Sequence, residues 1–159
     1  MDGLIEPLWV ETRRTCWAYS PGGHLAELER ATAGLRFADR FDVTFAGGRP
    51  AAEPPRRTYH VCHPRRSPWR TLVNLTQSLA ILLRERPALI VSTGADVAVP
   101  VCLLGRLMGA RLIFIETAGE LRPSLSGRLL YPFAHLFVVQ WPEKLEAFPR
   151  AVLCRGLLL

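Results

Sequence analysis

Several features that would mark the class of this chain are missing from its sequence. No stretch approaches the ~18 consecutive apolar residues that a membrane-spanning helix needs, so any meeting with a bilayer is expected at its surface or through a partner. Cys16, Cys62, Cys102 and Cys154 lie scattered in or beside apolar runs, without metal-ligand or redox spacing. Buried free thiols and no metal site are the expectation. Residues 1–14 contain Asp2, Glu6 and Glu11 and no apolar core, so no signal peptide is expected. Lysine is almost absent, Lys144 being the exception among 20 basic residues. That arginine bias fits phosphate recognition and codon usage equally. The net charge of +6 comes with no RNA-binding signature and no long basic run, which excludes nucleic acid as a leading partner. Phosphorylated substrates and acidic lipid head groups remain.

With 49% hydrophobic and 21% charged residues in 159, the composition is that of one soluble globular domain. No internal repeat is present. Strand-length apolar runs alternate with helix-length segments, the pattern of βαβ units. The expected fold is therefore α/β, a single Rossmann-like doubly wound, mainly parallel sheet over residues 15–159, preceded by an extension at 1–14. Strands are predicted at 15–20, 41–46, 58–62, 88–92, 111–116 and 136–140, with a short last one at 151–154. Helices are predicted at 24–37, 67–86, 97–108 and 124–134, with a short one from 141, and a Gly/Pro-rich loop at 47–56. Leu25, Leu28, Ala31 and Leu35 mark the inner face of the first helix.

The helix at 67–86 opens with Ser67-Pro68, a cap followed by proline at the first helical position, and stops before Pro87. Trp69, Leu72, Val73, Thr76, Leu79, Ala80 and Leu83 form one stripe, read as the packed face. Leu75, Ile81 and Leu82 fall outside it, and Arg65, Arg66, Arg70, Arg84 and Arg86 flank the segment. Trp69, Arg70, Leu75, Leu82 and Arg84 are accordingly candidates for a membrane or partner surface. Burial in a layered domain explains the same apolar residues.

The chemistry is expected at the carboxyl ends of the strands. In strand order 3-2-1-4-5-6 the turns at Ser20, Thr93 and Glu116 meet on one rim, gathering Gly22, Gly23, His24, Thr93, Gly94, Asp96 and Glu116. The adjacent glycines leave backbone N–H groups uncovered at a helix start, an arrangement that favours phosphates. His24 is the first candidate for a general base, with Glu116 and Asp96 in reserve, because an imidazole suits proton abstraction from a sugar hydroxyl. The alternative for each carboxylate is a cap or turn ligand to backbone N–H, and for Asp96 that is the leading reading. A dinucleotide fold requires G-x-G-x-x-G and an acid after the second strand. Here the turn is Pro21-Gly-Gly-His24 and the strand ends Phe45-Ala46-Gly47, so that reading fails. The phosphate-loop signature is absent too, and no cofactor is expected.

Ser20-Pro-Gly-Gly-His-Leu with Glu27-Leu28, Ser92-Thr-Gly-Ala-Asp96 through Pro100, Phe114-Ile-Glu116, Pro123-Ser-Leu-Ser-Gly-Arg-Leu-Leu-Tyr-Pro132 and Val139-Gln-Trp-Pro-Glu143 occur in order. Together, from about Thr15 onward, they resemble the PssD/EpsE-type bacterial exopolysaccharide glycosyltransferase subunits. Those are relatives of the membrane-recruiting subunit of the dolichol-pathway N-acetylglucosaminyltransferase and of the N-terminal half of MurG. The resemblance implies the acceptor half of a GT-B, inverting glycosyltransferase, cytoplasmic and peripheral at the inner face of the cell membrane. A separate C-terminal-half subunit would carry the UDP-sugar, and the acceptor would be a polyprenyl-pyrophosphate-linked sugar in exopolysaccharide or lipid-linked oligosaccharide synthesis. It also implies that Gly22, Gly23 and His24 face the pyrophosphate, that Thr93, Gly94 and Glu116 line the cleft, and that Ser124, Gly127 and Arg128 shape its far wall. Family members usually carry Arg at the position of Glu120 and an acid at that of His135; Arg122 is the nearest substitute for the missing Arg. The membrane helix of the eukaryotic relatives has no counterpart, which puts recruitment on the helix at 67–86. The competing readings are a non-catalytic scaffold that recruits a catalytic partner, and an isolated nucleotide-binding module.

Overall fold

The computed structural model describes residues 9–155; residues 1–8 of the expected N-terminal extension and residues 156–159 lie outside the described residues. Strands β2 (Thr15–Ala18), β4 (Arg40–Thr44), β5 (Arg57–His60), β6 (Leu89–Ser92), β7 (Arg111–Ile115), β8 (Leu136–Val139) and β9 (Val152–Leu153) form one parallel sheet in the order β5-β4-β2-β6-β7-β8-β9. This is the predicted order with the short last strand added at the far edge. Fully buried runs such as Leu89–Ser92 are what a sheet covered on both faces demands. Two further strands, β1 (Trp9–Glu11) and β3 (Leu35–Phe37), pair as a small parallel sheet apart from the main one.

Helix α1 (Gly23–Ala31) covers one face, packing Leu25 and Leu28 on Trp17, Tyr19, Val91 and Ile115. Helices α2 (Pro68–Glu85), α3 (Val99–Leu107) and α4 (Leu125–Leu130) cover the other, with α3 between its two neighbours. Their core joins Leu82, Val101, Cys102 and Leu130 to Phe41, Ile90 and Phe114. Close approach of α3 to the sheet depends on Gly105, where a Cβ would stand 2.2 Å from Ile90 Cδ1 of β6, with Leu82 Cδ2 of α2 at 3.3 Å.

Two expectations are corrected. The first helix stops at Ala31 rather than running to 37, because the Thr32 hydroxyl donates back to the Leu28 carbonyl at 2.8 Å and Gly34 turns the chain at φ +84°. Leu35 is thus a strand residue opposite Trp9 and no part of the helix face. On α2 the packed and exposed faces are exchanged. The inward face is Asn74, Ser78, Ile81, Leu82 and Glu85, whereas Trp69, Leu72, Leu79 and Leu83 of the apolar stripe are exposed. Leu82, expected on the surface, is fully buried, and Leu75 is half-buried.

Hydrogen bonding explains the inversion, since buried polar groups are tolerated once paired. The Asn74 amide donates to the carbonyls of Cys62 at 2.8 Å and Val97 at 3.2 Å, and Ser78 donates to Asn74 at 2.9 Å. Glu85 accepts from Tyr59 and pairs with Arg56. The inversion predicts opposite outcomes for neighbouring leucines. In denaturant melts Leu82→Ala is expected to cost about 2–5 kcal/mol, and Leu83→Ala less than about 0.5 kcal/mol.

Candidate functional site

The site is built where β2, β6 and β7 end. After β2 the chain passes through Pro21 into Gly22, which caps α1 at φ 92° and ψ −126°. A Cβ on Gly22 or Gly23 would meet nothing within 4 Å, so the backbone here faces open space. Beneath it, loop 47–56 presses Gly48 (φ +83°) so closely on Pro21 that a Cβ would lie 2.4 Å from Pro21 Cβ. His24 is clasped to the second turn: its Nδ1 lies 3.0 Å from the Thr93 carbonyl, and the Thr93 hydroxyl donates to the His24 carbonyl at 2.8 Å. A carbonyl only accepts, so Nδ1 carries the hydrogen and the neutral ring keeps its lone pair on Nε2.

His24 lines a cleft of about 680 Å³ together with Asp96 and Ser124. Of the other predicted site residues, Thr93 is buried and acts by holding His24. Gly94 is buried in packing: at φ +97° a Cβ would lie 2.8 Å from Ser126 Oγ and 3.0 Å from Phe114 Cζ. Arg128 is exposed, and neither it nor Gly127 is among the residues lining the cleft.

Glu116 lies under the rim rather than on it. Fully buried, it accepts from Ser124 N at 2.7 Å, Ser124 Oγ at 2.9 Å and Lys144 Nζ at 3.1 Å. Gly127 is the residue that admits this carboxylate, since a Cβ there would come within 2.1 Å of Glu116 Oε2. Lys144, equally buried, also donates to the Thr117 carbonyl at 2.6 Å. From the α1 side, Glu27 accepts from Thr117 Oγ1 at 2.9 Å and Ala118 N at 3.0 Å. The loop after β7 is therefore gripped by α1, by the start of α4 and by the 3-10 turn Pro142–Leu145.

Sequence reasoning missed several walls of the cleft. Leu125 and Leu129 of α4 make an apolar side, and Arg66 and Thr71 close the α2 end. Arg66 follows Arg65 through two consecutive left-handed residues, φ 48° and 56°. It occupies the cleft where Arg122 was the expected substitute, and Glu120 lies on the opposite loop. The one available signal was the basic turn before α2; propensity does not foretell two left-handed arginines. Among the described residues no group of three or more His, Cys, Asp or Glu side chains is placed to hold a metal ion.

A parallel sheet in this order, with a cleft at its carboxyl ends, defines a Rossmann-like α/β domain. MurG from Acinetobacter baumannii superposes with a TM-score of 0.60 at 14% identity, over 81% of this chain and 42% of that one, a likeness of fold. The chain belongs to the Alg14-like oligosaccharide biosynthesis family, whose model matches residues 57–158. That span includes Thr93, Glu116, Ser124 and Lys144 and leaves the turn at Gly22 to His24 outside. A Yarrowia lipolytica UDP-N-acetylglucosamine transferase subunit is 33% identical over 50% of this chain and 40% of its own length. The pyrophosphoryl-undecaprenol N-acetylglucosamine transferase of Clostridium novyi is 32% identical over 50% of this chain and 22% of its own. The chain thus spans well under half of the length of either relative.

Removing one member of a buried ion pair leaves the other charge uncompensated. Lys144→Ala is expected to lower the unfolding free energy by about 3–5 kcal/mol in chemical denaturation, a loss typical of breaking such pairs from one side.

Proposed function

We propose that this chain is the acceptor-binding, membrane-recruiting subunit of a two-component inverting glycosyltransferase. The observation that carries this reading is the His24–Thr93 clasp, which fixes an imidazole with a free Nε2 at the edge of a cleft supplied by half of a GT-B fold. The names of the relatives support a UDP-sugar donor and a polyprenyl-pyrophosphate-linked acceptor. A partner chain with the other half of the fold would hold the donor. The exopolysaccharide setting of the PssD/EpsE-type subunits rests on the sequence blocks they share with this chain.

In the proposed reaction, uncovered N–H groups at Gly22 and Gly23 and the guanidinium of Arg66 hold the acceptor diphosphate. His24 Nε2 takes the proton of the attacking sugar hydroxyl. Its oxygen forms the new bond to the donor anomeric carbon as the bond to UDP breaks, and one displacement inverts that carbon. Glu116 has no part in proton transfer: with Lys144 and Ser124 it shapes the wall. In a reconstituted pair, measured by transfer from UDP-N-acetylglucosamine to a polyprenyl-diphosphate-linked sugar, His24→Ala is expected to lower kcat about 10²–10⁴-fold. Unchanged turnover would remove His24 from the base role and favour the recruiting scaffold.

Attachment to a membrane is assigned to the outer side of the α2–α3–α4 layer. Trp69 (71% exposed), Leu72, Leu79, Leu83 and Leu107 (78%) are exposed on α2 and α3, and α4 exposes Leu125 (71%) and Leu129, which also line the cleft. The acid in these three helices is Glu85, which is buried, whereas Arg70, Arg84, Arg106 and Arg128 belong to them as well. Apolar surface with unopposed cations suits the interface of an anionic leaflet. No described helix is long and apolar enough to cross a membrane. Cosedimentation with phosphatidylglycerol vesicles is expected to weaken on raising salt and to fall at least about tenfold in a Trp69→Glu/Leu72→Glu double variant.

A further inference from the structure

The rim of the cleft holds a carboxylate that the proposed diphosphate site does not use. Asp96 follows Gly94 and Ala95, both left-handed at φ +97° and +74°. For alanine such a backbone is sparsely populated and persists where the surroundings impose it. Here they do: Gly94 is wedged against Ser126 and Phe114, and Thr93 is clasped to His24. The double turn delivers the Asp96 side chain, 42% exposed, to the cleft. Among the described residues it accepts no hydrogen bond, and the basic side chain nearest it is His63, with Nδ1 3.4 Å from Oδ2. That nitrogen already accepts the N–H of Arg65 at 3.2 Å and therefore has no hydrogen to give Asp96.

An unpaired, acceptor-only group at a rigid point of the rim fits a ligand that brings hydroxyl hydrogens and repels one that brings phosphate oxygens. We infer that Asp96 binds a hydroxyl of the acceptor sugar and so takes part in choosing that sugar, whereas Arg66, which lines the same cleft, serves the diphosphate. This rests on the acceptor-half reading above and divides its site into an anionic and a hydroxyl-bearing subsite. Asp96 and His24 are carried by one junction of turns, so a sugar placed for reaction at His24 has a further hydroxyl available to Asp96.

The test compares two probes bound to the full chain in detergent: undecaprenyl diphosphate, and undecaprenyl diphosphate bearing one N-acetylglucosamine, glucose or galactose. Asp96→Ala is expected to weaken the preferred sugar-bearing probe about tenfold, the worth of one hydrogen bond to a charged group, and to narrow the preference among sugars. Binding of the bare diphosphate should hold or improve, and its thermal melt should match the wild type. Arg66→Ala is expected to weaken both probes alike. Equal loss of both probes in Asp96→Ala, or no loss of either, overturns the inference. Failure of the wild type to bind any of these probes overturns the acceptor-half reading itself, and this inference with it.

Discussion

The buried contact between Glu116 and Lys144 is the constraint on which the rest of the cleft hangs. Taking a carboxylate and an ammonium out of water costs several kcal/mol per ion, and their attraction compensates only when further hydrogen bonds complete the arrangement. Those bonds are present. Ser124 gives Glu116 both its N–H and its hydroxyl, and the Thr117 carbonyl takes a second hydrogen from Lys144. Together these bonds tie two segments, the start of α4 and the 3-10 turn, to the end of β7, so satisfying the charge builds the wall of the site. Gly127 is part of the same solution, because any Cβ there would displace the carboxylate. An almost lysine-free chain keeps its one lysine where a slender stem must carry a single charge into a packed interior; a planar guanidinium has a different shape and hydrogen-bond geometry.

A second clasp, between His24 and Thr93, does for the first turn what Glu116 does for the third. Neither Thr93 nor Glu116 opens into the cleft, yet together they set its outline. Glu27 links the two by reaching from α1 to Thr117 and Ala118. The groups left on the surface of the cleft are Nε2 of the clasped His24 and the side chains of Arg66 and Asp96, and these are available to a ligand. Around them lies an outer helical layer in which α2 turns its paired polar residues inward and Leu72, Leu79 and Leu83 outward. That choice is costly for an isolated soluble domain and sensible for one that works at an interface.

Much of this was legible in the sequence. The strand order, the rim formed by turns at Ser20, Thr93 and Glu116, and the capping of α2 by Ser67 follow from local periodicity, glycine placement and proline at a helix start. The roles of individual residues were less legible. Gly94 reads as a cleft-lining glycine and is a packing glycine; Glu116 reads as a rim acid and is a buried anchor. Leu82 reads as surface, because hydropathy assigns the richest stripe of α2 to the core and takes no account of Asn74 and Glu85 finding partners on other strands and loops, or of Ser78 bonding to Asn74.

By itself, then, the sequence determined the class of fold, the order of its strands and which loops meet, since these depend on period, turn chemistry and the handedness of crossovers, all local or nearly so. Only the tertiary structure decided which face of α2 is buried, what Lys144 is for, that Arg66 and not Arg122 enters the cleft, and that Asp96 stands unpaired. Those outcomes depend on partners dozens of residues away, and whether a polar group is stable inside or out is settled by the bonds waiting for it there.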